Sequence, residues 1–216
     1  MDSSALLRLM TWLSPAFPTG GFAYSSGLEW SVQAGDVTDE TALIEWVRDT
    51  LAQGALWSDV ILLRHVYRGG DVQGLAEMGI ALAPSSERRL ETSAQGAAFA
   101  LAAAAWDVAA LRDWGETPLP YPVAVGILAA ARGVAEDDAA VAFLHAAVAN
   151  LVSAAVRLIP LGQSAGLRAQ AALEADILAA VAASLGARLD DLGGMAWGSD
   201  VASMRHETQY TRLFRT

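Results

Sequence analysis

The 216-residue chain contains no cysteine and no lysine, and its fourteen basic residues are all arginine. Without cysteine there is no thiol nucleophile, no thiolate metal cluster and no disulfide framework, a usage that fits a reducing cytoplasm. Without lysine there is no Schiff base, no pyridoxal-phosphate attachment and no phosphate loop of the usual kind, whose lysine must reach the β- and γ-phosphates. Histidine is scarce: His65, His145 and His206 are the only imidazoles, and no two stand at a helical ligand spacing. These absences leave a chain with no expected cofactor or dedicated metal cage. A net charge of −10 argues against a nucleic-acid surface, which needs a basic patch to displace counterions, so the expected partners are proteins.

Nor does the start of the chain read as a secretory signal, since Met1-Asp2 supplies no positive region and no short apolar stretch leads to a small-residue cleavage site. A cytoplasmic protein is expected. Ala139 to Val156 runs for eighteen residues without Asp, Glu, Lys or Arg, the lower limit for a membrane span. Its many alanines and its polar His145, Asn150 and Ser153 assign it instead to a central, buried helix of a bundle, with no membrane involved.

What is present is mostly helix-forming. Apolar residues make up 54% of the chain, many of them alanine, which favours helix and lets helix backbones approach closely. Thr38 can cap a helix with Asp39 and Glu40 in its first turn and Leu43, Val47 and Leu51 on one face. Further helices are expected over 58–68, from Asp71 to before Pro84, and from a cap at Ser85 to about Trp114, where Gly96 offers a bend. Pro118 to Pro122 reads as a stiff connector, followed by a helix over 123–134 and a long one from Asp137 or Asp138 to near Pro160. Leu173, Ile177, Val181 and Leu185 then fall four apart before Gly186. The expected fold is all-α: a single-domain bundle over 1–216 with about seven to ten helices. Ser14 to Glu29, with its prolines, glycines and aromatic Phe17, Phe22 and Tyr24, forms an ordered N-terminal loop.

Three patterns bear on function. Gly162-Gln163-Ser164-Ala165-Gly166 matches a nucleophile elbow, with Asp176 or Asp200 and then His206 following in hydrolase order. That motif needs a strand before it, whereas Pro160 precedes it and helical periods follow, so it reads as a glycine-bearing turn between helices. The adjacent acids Glu136, Asp137, Asp138, Asp190 and Asp191 read as caps and solvated charges rather than an acid/base pair. The C-terminal segment 204–216 is different: Arg205, Arg212 and Arg215 are interleaved with Tyr210, Leu213 and Phe214, a mixture that suits a protein interface.

That tail and the proline-glycine-tyrosine loop, together with Tyr121 to Gly126 and Asn150 to Gln163, resemble the UreF family of urease accessory proteins, four blocks in the family's order. The resemblance implies a non-enzymatic, dimeric, all-α protein that joins UreD (also called UreH) and the GTPase UreG in a complex delivering nickel to apo-urease. It implies that the tail, through Arg205, His206, Glu207, Gln209, Tyr210 and Arg212, becomes ordered on UreD, with Leu213 and Phe214 filling apolar sites. Tyr24, Ser25, Gly27 and Glu29 of the loop are implied either as a second contact surface or as its brace. One departure is Gln95-Gly96-Ala97, where the family pattern leads us to expect a basic residue after the glycine. Three scattered histidines do not define a nickel path, and a direct nickel carrier is the remaining alternative to a scaffold.

Overall fold

The computed structural model describes residues 2–216. Every regular element among them is helical. The α-helices are α1 (Ser3–Trp12), α2 (Leu28–Ala34), α3 (Glu40–Gln53), α4 (Ala55–Tyr67), α5 (Val72–Ala81), α6 (Ser86–Ala102), α7 (Ala109–Arg112), α8 (Tyr121–Ala131), α9 (Glu136–Leu158), α10 (Gly162–Ala172), α11 (Glu174–Ser184) and α12 (Trp197–His206). Ten of these reach ten residues or more, and only α2 and α7 are shorter. The all-α bundle expected from composition is the fold observed.

Local chemistry explains most boundaries. Ser85 caps α6 by accepting from the Arg88 amide. The cap of α3 is Asp39, not Thr38: its carboxylate accepts from the Ala42 amide at 2.9 Å, and a carboxylate answers the positive helix end better than a hydroxyl. The run from Ser85 to Trp114 is divided not at Gly96 but at Asp107, whose left-handed backbone (φ 45°) separates a short 3-10 turn from α7. Pro122 belongs to the first turn of α8, where a missing N–H costs nothing, so the stiff connector ends at Pro120.

The expected central helix is α9, which packs against α2, α3, α4, α8, α10 and α11, while α8 is the more completely buried of the two. Pro122 to Ala129 are all buried, and α8 packs on α4, α6 and α9. Two glycines permit this: a Cβ on Gly126 would lie 2.8 Å from the Leu63 carbonyl oxygen of α4, and one on Gly96 would lie 1.9 Å from the Leu119 carbonyl oxygen at the entry to α8. Gly96 therefore serves close approach. Helix α9 is long and apolar enough to cross a membrane by length and composition, and half of its most apolar window is buried in this fold. His145 lies on its exposed side and not in the core.

Glu136 and Asp137 are more than caps. Arg64 of α4, only 1% exposed, donates to Glu136 at 2.6 Å, to Asp137 at 2.7 Å, to the Ser184 hydroxyl at 2.9 Å and to the Val181 carbonyl at 2.9 Å. One guanidinium thus ties α4, α9 and α11. The N-terminal loop docks through its rings, with Phe17 5.2 Å from Phe99, which meets Tyr121 at 5.6 Å, while Trp12 packs edge-on against Trp106. Tyr24 is buried, but Phe22 lies 68% exposed.

Candidate partner-binding site

The loop and the tail, separated by most of the chain, meet on one face. Helix α12 packs against α2 and α6 and brings the tail alongside the loop. Gly27 makes the approach possible: its backbone is left-handed (φ 88°), and a Cβ there would lie 2.7 Å from the Ser203 amide of α12.

Three carboxylates organise the junction. Glu29, on the first turn of α2 and nearly buried, accepts the main-chain amides of Leu213 at 2.6 Å and Phe214 at 2.9 Å, and its second oxygen lies 3.2 Å from His206 Nε2. Glu87, on α6, meets His206 Nδ1 at 2.6 Å and accepts from Arg212 at 2.5 Å. The imidazole is fully enclosed, with a carboxylate oxygen within hydrogen-bond distance of each ring nitrogen. Glu91 pairs with Arg88 and accepts from Thr216 Oγ1 at 2.7 Å and Ser26 Oγ at 3.1 Å. Main-chain bonds finish the seam: the Arg215 amide donates to the Ala23 carbonyl at 2.8 Å, and the Ser25 amide to the Thr216 carbonyl at 2.9 Å.

Arg157, at the end of α9, locks the two segments side by side. Its guanidinium lies 3.7 Å from the Phe22 ring centre and 4.3 Å from that of Phe214, and it donates to the Phe22 carbonyl at 2.9 Å. Burial lowers its pKa from the ordinary arginine range. Asn150, on the same helix, donates to the Tyr24 carbonyl at 3.2 Å.

The residues read from sequence therefore divide into two groups. Tyr24, Ser25, Glu29, His206, Gln209 and Phe214 are buried and hold the face together. Tyr210 is fully exposed, Leu213 is 65% exposed, and Arg205, Glu207 and Arg212 lie at the surface. Phe214 thus packs into its own chain, its ring against Arg157, while the Leu213 side chain lies outward. Glu207 accepts from the amide and hydroxyl of Ser86 at 2.7 and 2.6 Å, and these hydrogen bonds lower its pKa. Sequence reading missed Glu87, Arg88 and Glu91, ordinary residues of the first two turns of α6 whose partners in the loop and the tail are distant in sequence. Arg157 lies within the stretch Asn150 to Gln163, where the sequence alone gives it no role.

Ser164 takes no part in this arrangement. It is exposed in the first turn of α10, with no strand before it, while His206 is engaged by two carboxylates. A nucleophile elbow needs the strand-to-helix turn that is missing here, and Gly166 serves instead to seat α10 against Val156. His65, 3.2 Å from the Ala187 carbonyl, and exposed His145 lie on other helices.

A family model described as UreF matches residues 37–174. Over its full length the chain is 50% identical to a urease accessory protein UreF of Bradyrhizobium diazoefficiens, spanning 93% of that protein. Over 99% of its length it is 51% identical to a urease accessory protein UreF of Cereibacter sphaeroides, spanning all of it. The chain belongs to the UreF family. The stretch matched by the UreF model excludes both the loop and the tail, so only the full-length UreF relatives cover the face built by Glu29 and residues 204–216.

Proposed function

We propose that this chain serves urease maturation as a non-enzymatic adaptor whose loop-and-tail face docks on UreD (UreH), joining it to the GTPase UreG and to apo-urease and regulating GTP-dependent nickel insertion. The observation that carries the reading is the division of labour in the tail: Glu29, His206 and Phe214 are spent inside the chain, while Tyr210 and Leu213 are held outward without partners of their own. A rigid aromatic and an aliphatic side chain, rimmed by Arg205, Arg212 and Arg215, form the composition of an interface core with a basic edge. The partners named rest on family membership, and a homodimer within the complex belongs to the same reading.

Size-exclusion chromatography with light scattering tests it, on the chain mixed with the UreD and UreG of its own organism, with and without GTP. Co-elution in a stoichiometric assembly is the expected result, and a lone monomer under every condition would end the reading. The double variant Tyr210→Ala/Leu213→Ala then locates the face. Loss of these exposed side chains leaves the fold unchanged by circular dichroism and weakens UreD binding by roughly tenfold or more, the effect of losing an interface hot spot. Unchanged affinity would move the interface elsewhere. Deleting residues 204–216 is a poorer test, because the deletion also removes buried His206, Phe214 and Thr216 and exposes Glu29.

A further inference from the structure

His206, the last residue of α12, is the one fully enclosed imidazole of the three, and it stands where the tail leaves the helix. Its Nδ1 meets Glu87 of α6 at 2.6 Å and its Nε2 meets Glu29 of α2 at 3.2 Å. The same two carboxylates hold the tail, Glu29 through the Leu213 and Phe214 amides and Glu87 through Arg212. With both carboxylates ionised and the ring neutral, one N–H serves two contacts, and the other nitrogen turns its lone pair on a carboxylate oxygen. A second proton on the ring bridges both. It also balances the charge, since two carboxylates then face Arg212 and an imidazolium, whereas a neutral ring leaves one negative charge uncompensated in an enclosed place.

We propose that the clasp between loop and tail is closed by a proton: His206 docks on Glu29 and Glu87 as an imidazolium, and loss of its second proton frees the segment from Leu213 to Thr216. Helix α2 presents Glu29 to the ring, α6 presents Glu87, and the tail adds Arg212, which acts on the ring through Glu87. Among the described residues, α3, the third helix against α12, gives the ring no hydrogen bond or ion pair. Arg88 and Glu91 of α6 are paired with each other, and Glu207, next to His206 in the chain, is taken up by Ser86. On α12 itself, Arg205 is exposed and Asp200 lies toward Arg88. An imidazole in water gives up its second proton at about pH 6.5. Below that value the open and closed forms hold the same proton and closure is indifferent to pH. Above it only the closed form keeps the proton, so closure weakens as pH rises until the closed form releases it as well. The inference concerns how the tail is held and stands whichever partner the tail meets.

Hydrogen exchange of the full-length chain, read by mass spectrometry at pH 6 and pH 8 and corrected for the intrinsic exchange rate, tests the proposal. Protection of the Leu213, Phe214 and Arg215 amides should fall by about tenfold between the two conditions, because each pH unit over which only the closed form keeps the proton is worth a factor of ten. In Glu87→Gln the side-chain amide can donate to the Nδ1 lone pair of a neutral ring while its carbonyl still accepts from Arg212. The clasp then closes without the extra proton, and the fall should shrink to under about twofold. The proposal is overturned if wild-type protection does not change. It is equally overturned if Glu87→Gln shows the full fall, which would assign the titration to another group such as Asp59, whose carboxyl burial pushes up to about 7. Should Glu87→Gln fail to fold by circular dichroism, His206→Gln, whose side chain does not titrate between the two conditions, decides by the same criterion.

Discussion

Arg64→Ala is expected to lower the unfolding free energy by about 3–5 kcal/mol, read as a shift of the urea midpoint with helix content as the signal. The side chain is 1% exposed, and its removal empties the space the guanidinium had filled and takes one hydrogen bond each from the Val181 carbonyl and the Ser184 hydroxyl, which keep only their bond to each other at 2.9 Å. Not every partner suffers equally. Asp137 is 65% exposed and regains water, and Glu136 keeps its pair with Arg68 at 2.6 Å, so the loss comes mainly from the buried end of the cluster. Arg64→Lys should fall between wild type and alanine, since an ammonium retains the charge without the fork that reaches from α4 to both α9 and α11.

The same cluster gives the variant a signature in acid. Burial favours the protonated form of Glu136, but the hydrogen bonds and charges of Arg68 and Arg64 outweigh it and lower its pKa from the ordinary 4.5. A depressed carboxyl contributes stability above that value and loses it as pH falls through the folded-state pKa. Removing Arg64 should therefore bring the acid unfolding limb to higher pH.

Gly96→Ala is the second large effect, an expected loss of about 3 kcal/mol or more, or a failure to fold. The added methyl would lie 1.9 Å from the Leu119 carbonyl oxygen and 2.8 Å from its carbon. These are backbone atoms at the entry to the most buried helix, so no side chain can rotate away, and α6 must part from α8. The gain in helix propensity, about 1 kcal/mol, offsets only part of that cost. Gly198→Ala is the matched control: it is also helical, nothing lies within 4 Å of its would-be Cβ, and the substitution should be neutral or slightly stabilising in the same titration.

The elements that could be read from sequence are those set by neighbours along the chain. Leu43, Val47 and Leu51 do line the inner face of α3, and Leu173, Ile177 and Val181 are buried at four-residue intervals. Leu185 continues that interval yet is 53% exposed, because α11 ends at Ser184 and the pattern outlasts the helix. Composition marked α9 as a central helix because it is long and largely uncharged, and it does pack against six others; the deeper burial of the shorter α8 left no such trace, because it depends on how closely α4 and α6 approach it. The close approach at Gly96 and the hub at Arg64 depend on contacts between distant segments and left no periodic trace. The tail stands out in the sequence by its arginines and aromatics. Which of them face inward is not legible there, since the chemistry that suits Phe214 and Arg212 to a partner equally suits them to Arg157 and Glu87 of their own chain.

The seam between Ala23–Ser25 and Arg215–Thr216 also orders events in time. Closing so long a loop is entropically costly unless the intervening helices have already brought its ends together, so the clasp forms after the bundle. During synthesis the bundle can assemble while residues 204–216 are still within the ribosome, but Tyr210 and Leu213 acquire their outward setting only once that segment has emerged and Glu29 has captured it. A chain ending before residue 204 would therefore carry a helical body without the clasp, and with it would lack the outward pair proposed above to dock, so the proposed assembly would discriminate against it without a separate proofreading factor.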